Sequence, residues 1–216
     1  MAKVKMPLLG VKARGQIGSS VVMSTWRGVQ YARTHVIPAN PRTESQMAVR
    51  SVFTYLNELY KLMGGEVTGV WKAYAQGRAL TDRNAFLKFN VGALVNATSV
   101  TDLTVSPGVG GGYACSALSL STNSTQNTIT ATATVPTPPE GWQVVKVVFV
   151  AVCEQDPHEA VAENPRILTD DTAPYTVTFE NLTEGQRYVI AAYPVWRKPD
   201  GKTAYGASIN ALSQQV

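Results

Sequence analysis

The sequence predicts an α+β protein of two domains, in which an N-terminal arm, a β-hairpin and a small helical unit precede an antiparallel β-sandwich. Three observations predict this class. Residues 40–97 carry apolar side chains at helical spacing, whereas the chain from about residue 99 onward is rich in Ser, Thr, Val, Gly and Pro and lacks that period. Short apolar runs separated by turn residues then continue to the C-terminus. The sign of the net charge changes at the same point.

The net charge of +4 is divided unequally along the 216 residues. Residues 1–98 contain 13 Lys and Arg against 4 Asp and Glu, whereas residues 99–216 contain 6 against 11. The first part therefore carries +9 and the second −5, which predicts two modules that face different partners. Hydrophobic residues make up 44% of the chain, enough for a packed core, and no stretch approaches the roughly 18 apolar residues of a membrane span.

Residues 1–18 are predicted to form an extended arm. One proline and three glycines interrupt this segment, which has neither a helical nor a strand period. An isolated arm buries too little surface to order itself, so we expect it to be disordered or bound to a partner. It lacks the apolar core of a signal peptide, so we expect a chain that is not secreted. Its basic residues are Lys3, Lys5, Lys12 and Arg14.

Residues 20–36 are predicted to form a β-hairpin. β-Branched and aromatic residues lie on both sides of Arg27-Gly28, a glycine-containing turn. The segment 37–41 contains two prolines and ends the second strand.

A helix with clear start and stop signals follows the hairpin. Thr43 and Gln46 have the spacing of a capping box, in which each side chain accepts a hydrogen bond from the backbone N–H of the other residue. Gly64-Gly65 supplies a left-handed stop. Between them, apolar residues recur at a period of about 3.6. This stripe consists of Val49, Val52, Phe53, Leu56, Leu59, Tyr60 and Met63.

Two shorter helices are predicted behind the first. One ends near Gly77, and the other begins at Thr81 and contains Gly92, which is unfavourable inside a helix. With the hairpin, these helices complete a predicted docking module over residues 19–98. Residues 99–112 are predicted to be a linker and first strand.

Seven strand-like runs predict the sandwich, which we place at residues 113–216. The run 144–152 is apolar except at Lys146, as expected of a central strand. Further along, Leu182, Gly185 and Tyr188 form a Leu-x-x-Gly-x-x-Tyr stretch.

On this stretch, the chain resembles fibronectin type III and related immunoglobulin-like domains over about residues 125–210. The resemblance implies a corner at the entry to the penultimate strand, where the Tyr188 hydroxyl bonds to upstream backbone. Such sandwiches serve adhesion, display and assembly alike, so the fold by itself implies no function.

The sequence contains no Gly-x-Ser-x-Gly motif, no Walker loop and no His-Glu-x-x-His motif. Ligand-type side chains concentrate at Glu154–Glu163, which we interpret as a solvated loop, with a cation site or catalysis as alternatives. Cys115 and Cys153 are expected to be free thiols, with a single bridge as the alternative. We therefore predict no enzyme and no cofactor.

Basic and aromatic side chains of the first domain are the candidate docking residues. The basic residues are scattered and no DNA-binding motif is recognisable, which favours an acidic protein surface over nucleic acid or a plain solvated face. The predicted docking residues are Trp26, Arg27, Tyr31, Arg33 and Arg42.

An ordered series of motifs in residues 10–95 resembles a module of phage and prophage proteins. The resemblance implies a virion setting more than a mechanism. The series consists of Gly15-x-x-Gly18, Trp26-Arg27-Gly28, Tyr31-x-Arg33, Asn40-Pro41-Arg42-Thr43-x-x-Gln46-x-x-x-Arg50-x-x-Phe53, Trp71 and Arg83-Asn84-Ala85-Phe86-x-x-x-Asn90.

This resemblance leads us to expect a non-enzymatic structural protein of a tailed-phage virion, assembled in the host cytoplasm. It would dock on neighbouring capsid subunits as a decoration, cementing or accessory protein, with its sandwich displayed outward. Its partners would be capsid or tail proteins and copies of itself, with no membrane. One alternative is a tail or baseplate component that binds a host glycan or receptor through Trp142, Trp196 or Tyr205. A DNA-binding packaging protein is another.

Overall fold

The computed structural model describes residues 2–3, 14–37, 39–40, 42–159 and 161–216. The chain divides into two compact units, Met1–Arg42 and Thr43–Val216. This division differs from the predicted boundary after residue 98, because the helices share a hydrophobic core with the sandwich. No helix in the described residues has the length and apolar character needed to cross a membrane.

The described residues of the first unit form a four-stranded antiparallel sheet, the N-terminal sheet. The predicted hairpin is confirmed as its two central strands, joined by Arg27 and Gly28. Both turn residues have positive φ, 48° and 80°, as in a type I′ turn whose twist matches that of the strands. In sheet order, the strands are β1 (Ala2–Lys3), β4 (Val29–Thr34), β3 (Val21–Trp26) and β2 (Gly15–Ile17).

Within the predicted arm of residues 1–18, a short strand lies at each end and pairs with the hairpin. Ala2–Lys3 pairs with β4 and Gly15–Ile17 pairs with β3. Each added strand satisfies backbone groups along one edge of the hairpin, which an unpaired arm would leave exposed. Residues 4–13 of the predicted arm, with Lys5 and Lys12, lie outside the described residues.

The second unit contains, among its described residues, the three predicted helices: α1 (Glu44–Leu62), α2 (Gly65–Ala75) and α3 (Asp82–Leu94). The predicted start at Thr81 is confirmed, since its side chain accepts a hydrogen bond from the Asn84 backbone N–H at 3.3 Å. The third helix continues through Gly92, where a side chain would meet nothing within 4 Å.

Neither the predicted cap at the start of α1 nor the predicted glycine stop at its end forms. Thr43 precedes the first turn, but its hydroxyl makes no cap hydrogen bond, so the capping-box interpretation is wrong. Gly64 has φ −68°, so it provides no left-handed stop. The helix ends instead at Met63, which is extended and buried. A Cβ at position 64 would lie 3.3 Å from Ile167 Cδ1, so the glycine leaves room for that side chain.

Two antiparallel sheets complete the second unit and confirm the predicted sandwich. The three-stranded sheet has the order β10 (Tyr175–Phe179), β7 (Thr128–Thr134) and β6 (Ala117–Asn123). The segment 99–112, predicted as linker and first strand, contributes β5 to the other sheet. That six-stranded sheet has the order β5 (Pro107–Val109), β12 (Thr203–Ala207), β11 (Tyr188–Arg197), β8 (Gln143–Cys153) and β9 (Arg166–Asp170), with β13 (Ile209–Leu212) also paired to β11.

The six-stranded sheet forms the middle layer of three. On β8, Val148 and Val150 pack in one core with the helices, whereas Val147 and Phe149 pack in a second core with the three-stranded sheet. Both faces of this strand are therefore covered, which explains its nearly unbroken apolar sequence. Because helices and sandwich bury a common surface, they belong to one unit.

The predicted corner before β11 is confirmed. Tyr188 is buried, and its hydroxyl accepts a hydrogen bond from the Thr183 backbone N–H at 3.0 Å. Leu182 is buried beside it, and Gly185 adopts the left-handed conformation, with φ 77°. This tyrosine corner is a hallmark of immunoglobulin-like sandwiches.

Candidate docking surface of the N-terminal sheet

The register of the β3–β4 hairpin brings three of the predicted docking residues onto one face of the sheet. Directly opposite residues of antiparallel strands share a face, and side chains two positions apart along a strand do as well. Trp26, Tyr31 and Arg33 therefore project from the same side, with Arg27 at the turn. We call this the Trp26 face, and its cross-strand pairs are Val22–Arg33, Ser24–Tyr31 and Trp26–Val29.

The tip of the hairpin presents an aromatic ring together with a cation. Trp26 is 67% exposed, and the Arg27 guanidinium carbon lies 5.0 Å from the centroid of its ring. At this distance a guanidinium is attracted to the ring electrons. Arg27 occupies a left-handed turn position that usually holds Gly, Asn or Asp. The turn therefore displays a bulky stacked pair where hairpins usually have a small residue.

The charge of the N-terminal unit is of one sign only. Residues 1–42 contain seven Lys and Arg and no Asp or Glu, a net charge of +7, while the rest of the chain carries −3. The observed division thus sharpens the charge split seen in the sequence. A surface of this kind attracts acidic protein surfaces or phosphates and accelerates their approach.

The N-terminal sheet buries little of its own apolar surface. Among its described residues, Gln30 is the only buried one, and its side-chain amide has no hydrogen-bond partner. Val29, opposite Trp26, is 49% exposed. A sheet gains stability chiefly by covering a hydrophobic face, so this one is suited to bury its exposed side chains against a partner.

The fifth predicted docking residue, Arg42, is not part of this face. It lies outside the strands, immediately before Thr43 at the start of α1. The face also includes Val29, which the sequence reasoning missed. The two-residue turn and the period-2 alternation of strands would have placed Val29 opposite Trp26.

The acidic loop predicted as a solvated segment uses its carboxylates within the fold. Glu154 forms an ion pair with Arg187 at 2.6 Å and accepts a hydrogen bond from Ser99 at 3.0 Å. Asp156 Oδ1 accepts a hydrogen bond from the His158 backbone N–H at 2.8 Å. Within the described ranges, no three His, Cys, Asp or Glu residues are grouped so that they could hold a metal ion.

Both cysteines are free and buried, as the sequence predicted for their redox state. Burial raises the pKa of the Cys115 thiol to about 11, and burial is also the main cause that raises the pKa of the Cys153 thiol. Thiols of this kind remain protonated at neutral pH and are poor nucleophiles. Their arrangement fits a packing role.

The aromatic residues considered for glycan binding are mostly structural. Trp196 is fully buried and donates a hydrogen bond to the Tyr113 carbonyl at 2.8 Å, so the interpretation of Trp196 as an exposed contact is wrong. Trp142 packs edge-on against Trp196, at a centroid distance of 6.3 Å. Tyr205 is half-buried against the helical core. In this cluster, Tyr113 is 48% exposed.

Comparison with known proteins gives a family match and several partial structural similarities. Residues 12–161 match a family described as "Family of unknown function (DUF6266)", and no curated protein matches the chain. Among solved structures, the chain is similar to the FN3 domain of human collagen XX in a crystal structure (18% identity, TM-score 0.37, covering 50% of this chain and 96% of that one). A solution structure of the fn3 domain of the human collagen alpha-1(XX) chain gives 18% identity and a TM-score of 0.36, covering 51% of this chain and 91% of that one. A protein described as "Myokine structure" has 10% sequence identity and a TM-score of 0.35, and the match covers 48% of this chain and 96% of that one. The strand order of the two sheets here is itself of the fibronectin type III-like kind.

Proposed function

We propose that this chain, which belongs to the DUF6266 family of unknown function, is a non-enzymatic structural protein of a tailed-phage virion. Its N-terminal sheet docks on neighbouring capsid subunits as a decoration, cementing or accessory contact, and its sandwich faces outward. The observation that carries this proposal is the Trp26 face. It combines an exposed tryptophan with Arg27 and Arg33 in a unit that contains no acidic residue.

The composition of the Trp26 face matches that of strong interface residues. Trp, Tyr and Arg are the side chains that contribute most to protein interfaces when they are desolvated. Arg27 and Arg33 would set the approach and register on an acidic subunit, and Trp26 would supply the apolar area that becomes buried. The adjacent Val29 would extend that apolar area.

The virion setting is supported by the ordered motif series in residues 10–95. Its first half, from Gly15 to Arg33, coincides with the N-terminal sheet. A particle presents identical sites on a symmetric lattice, so a contact that is weak in one copy becomes strong in many. A tail or baseplate location would use the same face, and the copy number per particle separates these locations.

DNA packaging is the second candidate, because a unit of charge +7 without carboxylates also suits phosphates. An exposed Trp26 next to a basic residue could stack on unpaired bases. This candidate predicts binding that weakens steeply with salt.

The test measures incorporation into particles. We expect the full-length chain in particles purified from a lysate of the cells that encode it. The variant Arg27→Glu/Arg33→Glu should reduce the copies per particle by about tenfold or more, since charge reversal opposes the approach to an acidic surface. The matched control is Lys61→Glu/Lys88→Glu, which changes the charge equally at two exposed helical positions. Quantitative mass spectrometry counts the copies.

Two results would overturn the proposal: absence of the chain from purified particles, or unchanged incorporation of the Arg27→Glu/Arg33→Glu variant. The packaging candidate would be favoured instead if nuclease treatment released the chain from particles and the free protein bound DNA in a salt-sensitive way.

A further inference from the structure

The outer edge of β6 lacks the features that normally protect a strand edge. One side of β6 pairs with β7 along all seven residues, Ala117–Asn123, and none of the seven is charged or a proline. Side chains at alternate positions along the strand are exposed. A free edge presents a row of unpaired N–H and C=O groups that can accept another strand.

The other edge strands of the second unit are protected. On β10, the Thr176 backbone N–H donates to Asp170 Oδ2 at 2.7 Å. The edge strand β9 runs from Arg166 to Asp170, both charged. The edge strand β5 has only three residues and begins with Pro107, and β13 has only four. Short length, charge and proline are the devices that prevent edge-to-edge pairing, so among the described strands of this unit β6 stands apart.

Both apolar and polar side chains line the surface beside this edge. A cavity of about 460 Å³ lies between β6 and β13 and is lined by Leu120, Thr122 and Leu212 among others. Leu120 is half-buried and Leu212 is 39% exposed. A strand added to β6 would place every second side chain over this opening, because side chains alternate between the faces of a sheet.

We propose that β6 of a second copy of this chain is the strand that pairs here, antiparallel and across a twofold axis. A register centred on Leu120 uses all seven residues. It sets Ser119 of one copy opposite Ser121 of the other on the exposed face, and Leu120 opposite Leu120 on the face toward the cavity. None of the seven residues of β6 is charged, so pairing two copies places no like charges opposite each other.

The hydroxyl rows of the three-stranded sheet make the edge self-complementary. Ser121 lies opposite Thr130, whose hydroxyl is 3.1 Å from that of Thr178. In the next row, Ser119 lies opposite Thr132, whose hydroxyl is 3.1 Å from that of Thr176. Pairing Ser119 with Ser121 of the second copy joins these rows end to end, so the two small sheets become one continuous sheet.

Sedimentation of the full-length chain tests the dimer. We expect wild-type protein to have twice the chain's mass of 23.2 kDa. Ser119→Lys/Ser121→Lys places lysines opposite lysines and should raise the dissociation constant about tenfold or more. Ser119→Glu/Ser121→Glu should do the same, and an equimolar mixture of both variants should recover the dimer. Thr176→Lys/Thr178→Lys, on the same face at the far edge, is the control and should remain dimeric.

Circular dichroism confirms that each variant is folded before it is compared. A wild-type monomer at concentrations up to about 0.1 mM would overturn the proposal. So would a dimer that the Ser119→Lys/Ser121→Lys variant leaves unchanged, since its contact would then be elsewhere. Failure of the opposite-charge mixture to recover the dimer would also overturn it. Incorporation into particles depends on Arg27 and Arg33, so the two proposals can fail separately.

Discussion

Two motif residues of the helical segment, Trp71 and Asn90, form hydrogen bonds that fix helices to the loop after α3. The buried Trp71 donates from its indole Nε1 to the Val105 carbonyl at 2.9 Å. The Asn90 side chain donates to the Thr104 carbonyl at 3.0 Å and accepts from the Thr104 N–H at 2.6 Å. Structural hydrogen bonds therefore account for these two positions.

The tyrosine corner yields a prediction at one atom. Tyr188→Phe removes the acceptor of the Thr183 N–H and should lower the free energy of unfolding by about 1–3 kcal/mol, because a part-buried donor is left unpaired. Urea denaturation measures the change. The control is Tyr113→Phe, whose ring is 48% exposed, and it should cost less than about 0.5 kcal/mol. Equal losses in both variants would contradict a specific role of the Tyr188 hydroxyl.

At the scale of elements, two helices begin at a threonine but only one threonine makes a cap bond. Thr81 accepts a hydrogen bond from the Asn84 N–H at 3.3 Å, whereas the Thr43 hydroxyl caps nothing. Both residues are exposed and extended in backbone conformation. The pair therefore separates the energy of the cap bond from that of the threonine itself.

Substitution of each threonine by alanine tests this difference. Thr81→Ala should lower the free energy of unfolding by about 1 kcal/mol, since the first turn of α3 loses an acceptor. Thr43→Ala should change it by less than about 0.5 kcal/mol. Thermal or urea unfolding of the two variants measures both values. A larger loss at Thr43 would mean that the capping box forms in solution.

Local patterns predicted the elements well because each pattern is complete within a few residues. The turn at Arg27-Gly28 and the corner at Tyr188 are of this kind. The apolar stripe of α1 is buried at five of its seven positions, whereas Val49 and Phe53 are exposed. The sequence failed where a distant segment decides the outcome. Gly64 is explained by Ile167, a hundred residues away, rather than by the helix it follows.

The candidate site was predicted in part for the same reason. Exposed aromatic and basic residues identified Trp26, Arg27, Tyr31 and Arg33, and the hairpin register then joins them. Arg42 was predicted as a docking residue from its charge alone. Charge does not indicate on which element or which face of a sheet a residue lies.

At the scale of the whole molecule, the domain boundary depends on what covers β8. An apolar strand predicts burial on both faces but does not identify the covering layer, so a sandwich and a separate helical unit fit the sequence equally well. In the structure, Val150 faces the helices and Val147 faces the three-stranded sheet, and both are fully buried. The middle sheet therefore couples the stability of the two outer layers.

This coupling predicts that residues 43–216 unfold as one cooperative unit. Val150→Ala and Val147→Ala should each lower the free energy of unfolding by about 2 kcal/mol, because each removes two buried methyl groups and leaves a cavity. In both variants, the backbone amides of the helices and those of the three-stranded sheet should lose their protection from hydrogen exchange at the same urea concentration, since neither layer can lose the middle sheet and remain folded. If Val150→Ala instead melts the helices at a lower urea concentration than the sandwich, the chain has the boundary near residue 98 that its composition predicted. Coincident transitions would establish that the charge change near residue 98 falls inside a folded unit, in agreement with the division after Arg42.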